Sequence, residues 1–266
     1  MADSLLYDVT DGLATITLNR PEAYNSLDTE LKVALRDTLR EAGADPAVRA
    51  VLLTATGKAF CTGQDLKEHV GSLRAAREAG GGNALSTVSE HYNPIVRAIT
   101  EMPKPVVAGV NGVAAGAGFG FALAADYRVA ADTSSFTTAF AGVGLTSDSG
   151  MSWTLPRLIG PSRAMDLLLF PRSITAQEAL ELGILNQVVP AEELAGAALA
   201  VARKLAAGPT VAYAALKEAV AFGAGRSLAD ALEKEDELQT RAGASEDHAT
   251  AVAAFVAKEK PAFRGR

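Results

Sequence analysis

A chain of 266 residues, 48% of them hydrophobic, can bury a substantial core as one large domain or as a domain with an appendage. Its 25 Lys and Arg against 31 Asp and Glu give a formal net charge of −6 with no basic cluster, which disfavours nucleic acid as a partner. The single cysteine, Cys61, leaves no intrachain disulfide, and no apolar run approaches the ~18–20 residues of a membrane span, so a cytoplasmic protein is expected.

Leu5–Thr10 and Leu13–Leu18 alternate around Asp11-Gly12, a two-residue hairpin signal. Asp28 stands where an N-cap would, before an amphipathic helix with Leu31, Ala34, Leu35, Leu39 and Ala42 on one face. Val48–Thr54 is an apolar run without alternation, as in a strand buried on both faces, and Val106–Val110 and Tyr127–Ala131 are two more strands. Helical patterns lie between them: Val88–Ile99 after the glycine-rich stretch Gly80–Gly82, then Gly118–Ala125 and Ser162–Leu169. This alternation predicts an α/β fold. From Ala191 the pattern is helical only, over 191–207, 209–223, Leu228–Arg241 and 246–258, before the closing Lys260-Pro-Ala-Phe-Arg-Gly-Arg266. Two regions are expected: a core over 1–190 and a helical region over 191–266 that packs on the core or on another subunit.

Several familiar chemistries are missing. A GxGxxG from Gly116 or Gly118 meets Phe121 or Leu123, Lys58 is followed by Ala59 rather than Ser or Thr, and Ser149 has Ser147 two places before it instead of Gly. His69, His91 and His248 lack metal-ligand spacing, so no metal is expected. The N-terminal MADSLLYDVT lacks the basic and apolar regions of a signal peptide.

Two small-residue loops follow buried strands, Gly57-Lys-Ala-Phe-Cys-Thr-Gly-Gln-Asp-Leu66 and Asn111-Gly-Val-Ala-Ala-Gly-Ala-Gly-Phe-Gly120. Unpaired N–H groups from two such loops, aimed at one point, would make an oxyanion hole; close helix–strand packing selects the same residues. In Gly-Leu-Thr-Ser-Asp-Ser-Gly150, Asp148 is the one acid, either the N-cap of a helix from Met151 or an acid/base group. Cys61 reads as a buried, inert thiol and His91 as a partly exposed structural histidine.

Asn19-Arg-Pro-Glu-Ala-Tyr-Asn-Ser-Leu27, Lys58-Ala-Phe-Cys-Thr-Gly-Gln-Asp-Leu66, Lys104-Pro-Val-Val-Ala-Gly-Val-Asn-Gly112 and Gly183-Ile-Leu-Asn-Gln-Val-Val189 together resemble the enoyl-CoA hydratase/isomerase (crotonase) superfamily. Tyr92-Asn-Pro-Ile-Val96, Leu145-Thr-Ser-Asp-Ser-Gly150 and Ala253-Ala-Phe-Val-Ala-Lys258 look most like its 2-(1,2-epoxy-1,2-dihydrophenyl)acetyl-CoA isomerase branch. The resemblance implies a spiral of ββα turns, a C-terminal helical trimerisation region, a homotrimer or a hexamer of two trimers, and an acyl-CoA thioester substrate with no further cofactor. It puts the backbone N–H groups of Gln64 and Ala117 on the oxyanion-hole positions. Asn25, Ser26, Asp65 and Leu66 fall where the family holds CoA, and Lys260 and Phe263 where a neighbouring subunit's tail reaches the nucleotide end.

The two glutamates of the family's hydratases correspond here to Gly120 and Phe140, neither of which carries a proton. Asp148 falls where single-acid isomerases keep their carboxylate and where related chlorobenzoyl-CoA dehalogenases keep a nucleophile. The dehalogenase's histidine position is Asn93 by ungapped count, two residues from His91. The expectation is an acyl-CoA isomerase with a single Asp acid/base. A broad or weak hydratase and a catalytically attenuated CoA-ester binder are the alternatives.

Overall fold

Asp11 and Gly12 both adopt positive φ (52° and 79°), the backbone a tight two-residue hairpin turn requires, and so join β1 (Leu5–Thr10) antiparallel to β2 (Leu13–Leu18). The computed structural model describes residues 3–78 and 85–266; the glycine-rich stretch 80–82 lies outside them. Asp28 caps α1 (Thr29–Ala44), its Oδ1 accepting the Leu31 N–H at 2.9 Å. The buried face of α1 contains Leu31, Leu35, Leu39 and Ala42 as expected, but also Lys32, while Ala34 is only partly covered.

The chain then repeats a pattern of one long strand, one short strand and a helix. β3 (Ala50–Ala55) leads into β4 (Ala59–Cys61) and α2 (Leu66–Glu78). A π-helical turn, Val88–Tyr92, runs into α3 (Asn93–Glu101). β5 (Val106–Val110), β6 (Val113–Ala115) and α4 (Ala117–Ala124) make the next turn. β7 (Tyr127–Ala131) and β8 (Ser135–Thr137) precede α5 (Met151–Ile159) and α6 (Pro161–Leu169). β9 (Ile174–Thr175), α7 (Ala176–Glu181) and β10 (Gln187–Val189) close the spiral.

The long strands form a six-stranded sheet in the order β1-β2-β3-β5-β7-β10, parallel from β2 onward. The short strands form a second sheet, β4-β6-β8-β9, in which β4, β6 and β8 are parallel. Strands of two or three residues have no periodicity to read, which is why β1, β2, β3, β5 and β7 were legible in the sequence while β10 and the second sheet were not.

Alternation along the long strands sends side chains to two cores. Val51 and Leu53 of β3 and Ala108 of β5 join Leu31, Leu35 and Phe121 in the larger one. Ala50, Leu52 and Val107 point to the opposite face, where Leu194, Ala198, Ala202 and Ala206 of α8 (Leu194–Ala206) cover them. The first helix of the C-terminal segment therefore seals the sheet. α9 (Thr210–Gly223), α10 (Leu228–Gly243) and α11 (Glu246–Ala257) follow and leave Leu216, Val220, Leu228, Leu232, Phe255 and Val256 exposed. No described helix is long and apolar enough to cross a membrane.

Candidate active site

Three parallel neighbours, β4, β6 and β8, end on the same side of the second sheet, so the loops that leave them are neighbours too. The first loop carries Gln64. A parallel bridge pairs Leu27 with Gln64, the Leu27 N–H donating to Gly63 O (2.8 Å) and the Asp65 N–H to Leu27 O (3.1 Å). Gln64 itself is thereby turned away from Leu27, and among the described residues its N–H meets no protein acceptor. The second loop ends on Gly116 (φ 52°, ψ −125°), the N-cap position of α4, which as a glycine has no side chain to cap the helix. The Ala117 N–H is one of the unpaired first-turn donors of that helix. Gly63 joins the two loops. With φ at +82°, a Cβ there would lie 3.0 Å from Ala115 O and 3.5 Å from Ala117 N, so only glycine lets the loops approach.

The third loop brings Asp148 to the same helix. Asp148 is no N-cap: Gly150 occupies that position in α5 and no side chain caps it. The Asp148 carboxylate accepts a hydrogen bond from Ser149 Oγ (2.8 Å) and has no ion-pair partner among the described residues. Burial lifts its pKa above the ordinary carboxylate value, and the Ser149 hydroxyl offsets part of that rise. Ser149 holds a left-handed φ of 52°, a conformation that costs a non-glycine residue roughly 1–2 kcal/mol. The turn fits because α4 offers it no side chain at position 120, where a Cβ would lie 2.6 Å from Ser149 Cβ and 2.9 Å from Ser149 O. The buried ring of Phe140 reaches toward Gly116, 3.9 Å from where a Cβ would stand. Positions 120 and 140 thus hold a close backbone contact and an apolar ring instead of acids.

Behind Gln64 lies a polar cluster that hydrophobic periodicity does not show. The Tyr92 hydroxyl donates to Gln64 Oε1, which also receives Lys32 Nζ at 3.4 Å. Lys32, 2% exposed, is further bonded to Glu68 Oε1 (2.9 Å) and Thr87 Oγ1 (3.1 Å). Burial alone would raise the Glu68 pKa, but the Lys32 ammonium and the Thr29 N–H outweigh it and hold the carboxyl below its ordinary value. Burial pushes the Cys61 thiol up to about 12, so it stays protonated and inert. His91 points its Nδ1 at Thr87 Oγ1 (3.2 Å), and burial followed by the Lys32 charge lowers its pKa. His91 is therefore a partly buried member of the Lys32 cluster, and Asn93 is exposed.

The residues expected around CoA divide into two groups. Beside the Leu27–Gln64 bridge, Ser26 meets Asp65. Asn25 is wholly buried, accepting from the Arg20 N–H (2.8 Å) and donating to Thr56 O (2.9 Å) and Ala59 O (2.8 Å), so its side chain braces the entry to β4. Ser26 Oγ donates to Asp65 Oδ2 (3.1 Å), and Asp65 Oδ1 caps α2 at the Lys67 and Glu68 N–H groups (3.0 and 3.3 Å). Burial would raise the Asp65 pKa, but these donors and Arg20 hold it below the usual range. Leu66 is 69% exposed at the start of α2 and open to a ligand. The tail lies elsewhere. Phe263 O accepts from Arg49 Nη1 (3.1 Å), at the N-terminal end of β3, whereas Gln64 follows its C-terminal end. Asp247 straps the last residues down, accepting the Arg264 and Gly265 N–H groups at 2.6 and 2.8 Å. Phe263 is therefore held at the opposite end of β3 from the Gln64 loop.

The sequence model of the Enoyl-CoA hydratase/isomerase family matches residues 8–266. The chain belongs to this family. This family member is 40% identical to the 1,2-epoxyphenylacetyl-CoA isomerase of Escherichia coli K12, over 100% of both chains. It is 34% identical to the trans-2-decenoyl-[acyl-carrier-protein] isomerase of Streptococcus mutans over 98% of each. The crystal structure of an enoyl-CoA hydratase from Bacillus anthracis superposes with a TM-score of 0.90 at 32% identity, covering 99% of this chain and 100% of that one. The spiral α/β fold with C-terminal helices read from the sequence is the fold observed. Among enoyl-CoA hydratase/isomerase proteins, this member brings to its site Tyr92, Lys32 and Ser149, none of which sequence reasoning singled out. Tyr92 stood in a quoted motif, but an aromatic at helical spacing signals a core residue, and that masked its hydroxyl.

Proposed function

We propose that this chain is an acyl-CoA isomerase working through a thioester enolate, with Asp148 as its single acid/base. The observation that carries the reading is the contact between Gly120 and Ser149. It ties the Asp148 loop to α4 three residues after Ala117, so a half-buried carboxylate with no cation partner among the described residues packs beside the short helix whose Ala117 N–H has no protein acceptor among them. The thioester oxygen accepts from the N–H groups of Gln64 and Ala117. Asp148 takes the proton from the α carbon, and the C–H electron pair delocalises onto that oxygen. The carboxyl then returns its proton to the γ carbon as the double bond shifts. Where the substrate carries a ring epoxide at the β carbon, the enolate forms the α–β double bond as the β C–O bond breaks, and the epoxide oxygen, still bound to its other carbon, takes the proton that Asp148 holds. The 40% identical epoxyphenylacetyl-CoA isomerase supports that substrate class.

Each backbone donor of such a hole is typically worth about 2.7–4 kcal/mol to the transition state. The direct assay follows absorbance as a 3-enoyl-CoA becomes the conjugated 2-enoyl-CoA, beside absorbance loss from crotonyl-CoA. Isomerisation with negligible hydration is expected; hydration without isomerisation would contradict the reading. With 120 and 140 occupied by Gly and Phe, no second acid is present there to activate water.

The same chain is proposed to assemble as a trimer or a pair of trimers, because α9–α11 expose Leu216, Val220, Leu228, Leu232, Phe255 and Val256. Lys260 and Phe263 would then serve a neighbour's site. Light scattering should give three or six copies of the 27.4 kDa chain, and a monomer would sink this assembly.

A further inference from the structure

We propose that Tyr92 is a positioning residue of this site, locking Gln64 so that its backbone N–H is held beside that of Ala117. The proposal rests on the oxyanion-hole reading above. Gln64 sits between an isolated bridge and α2, a helix whose Leu66, Val70 and Leu73 are all exposed. The Leu27 N–H holds the Gly63–Gln64 peptide unit at one edge through Gly63 O (2.8 Å), and the Gln64 side chain supplies the second restraint. Gln64 Oε1 accepts from Tyr92 and from Lys32, while Nε2 donates to Asp65 O (3.4 Å) and Glu68 Oε1 (3.5 Å). Of these partners only Tyr92 is keyed to the other half of the hole. Its ring, in a residue 2% exposed, packs edge-on against Phe121 of α4, with centroids 5.9 Å apart and planes at 70°. Phe121 follows Gly120, which fits Ser149, and lies four residues after Ala117. The path Gln64–Tyr92–Phe121–α4 thus spaces two N–H groups that belong to different loops.

Two further features favour a working hydroxyl over a plain core aromatic. Tyr92 ends a π-helical turn, a distortion that re-aims a side chain and recurs at functional sites. Burial, followed by the nearby Asp148 charge, pushes the phenol's pKa up, so it remains a protonated donor throughout the working range.

The test uses a conjugated probe, 4-(dimethylamino)cinnamoyl-CoA, whose absorption moves to the red when donors polarise its thioester carbonyl. With the full-length protein, Tyr92→Phe is expected to bind the probe within about threefold of the parent and to lose at least half of the red shift. Its kcat on 3-enoyl-CoA should fall about tenfold with little change in KM, the effect of misaligning one hydrogen bond. Gln64→Ala keeps the backbone donor but removes the anchor, so it should show the same loss, and the double variant no further loss. A merely structural Tyr92 would change the melting temperature and leave the red shift of the folded, probe-bound protein intact; that result, or losses that add in the double variant, overturns the proposal. A parent protein that binds the probe with no red shift overturns the oxyanion-hole reading and this proposal together, which separates the two failures.

Discussion

Asp148→Asn is expected to turn over 3-enoyl-CoA about 10²–10⁴-fold more slowly than the parent while remaining folded and able to bind CoA esters. The carboxylate has no structural duty to lose. It caps no helix, pairs with no cation among the described residues, and accepts a hydrogen bond from Ser149 Oγ that an amide oxygen can also accept. Its stability effect runs opposite to its catalytic one. Because burial raises its pKa, the folded chain binds this proton more readily than the unfolded chain, so ionised Asp148 disfavours folding near neutral pH. Asparagine removes that penalty, and the melting temperature at pH 7 should equal or exceed the parent's. The advantage should fade as pH falls through the raised pKa, where the parent's carboxyl is neutral too. In the parent, turnover should decline on the acid side around a pKa above the ordinary ~3.9 of an aspartate, since the base must be ionised. Parental activity in Asp148→Asn would reduce the residue to a bystander.

Gly120→Ala should be damaging for its size. A single methyl would stand 2.6 Å from Ser149 Cβ and 2.9 Å from Ser149 O, and no rotamer change can move either atom. Ser149 and Gly150 already hold left-handed φ values of 52° and 71°, so the turn yields by shifting as a unit and carries Asp148 with it. Overpacking of this kind typically costs about 1–3 kcal/mol, and a 1 Å displacement of a catalytic group about 10²-fold in rate. Lower melting temperature and lower kcat together are therefore expected. Gly120→Glu, which restores a hydratase-type acid by residue type, should not hydrate crotonyl-CoA, because the acid enters at the expense of the Asp148 turn. Hydration by Gly120→Glu, or a Gly120→Ala enzyme with parental stability and turnover, would show that the contact is slack. Asp148 and Gly120 are on this account one solution: the chain accommodates its single acid by giving up the side chain at 120.

The parts of this molecule that were legible in the sequence are those with a strong local signal. Asp11-Gly12 announced its hairpin and Asp28 its helix, because a positive-φ turn and a side-chain cap are decided within four residues. The amphipathic reading of α1 missed only Lys32 among its buried residues, since a lysine can be buried when Glu68, Thr87 and Gln64, all distant in sequence, supply its partners. β4, β6 and β8 went unread for want of length, yet their parallel pairing is what makes three loops converge. The loops themselves were visible as clusters of small residues, and Asp148 as their one acid. Whether Asp148 or Gly150 occupies the N-cap of α5 is a matter of one or two residues that only three-dimensional structure decides. Tyr92 stood in a motif of the family branch, but its role toward Gln64 was not legible, because that contact spans 28 residues of sequence.

A crystal structure of the protein with a non-isomerisable acyl-CoA thioester tests the central claim most directly. The thioester oxygen should lie about 2.7–3.1 Å from both the Gln64 and the Ala117 backbone nitrogens, with an Asp148 carboxylate oxygen facing the α carbon. A thioester oxygen bound away from these two N–H groups, or an α carbon on the far side of the pocket from Asp148, would contradict it.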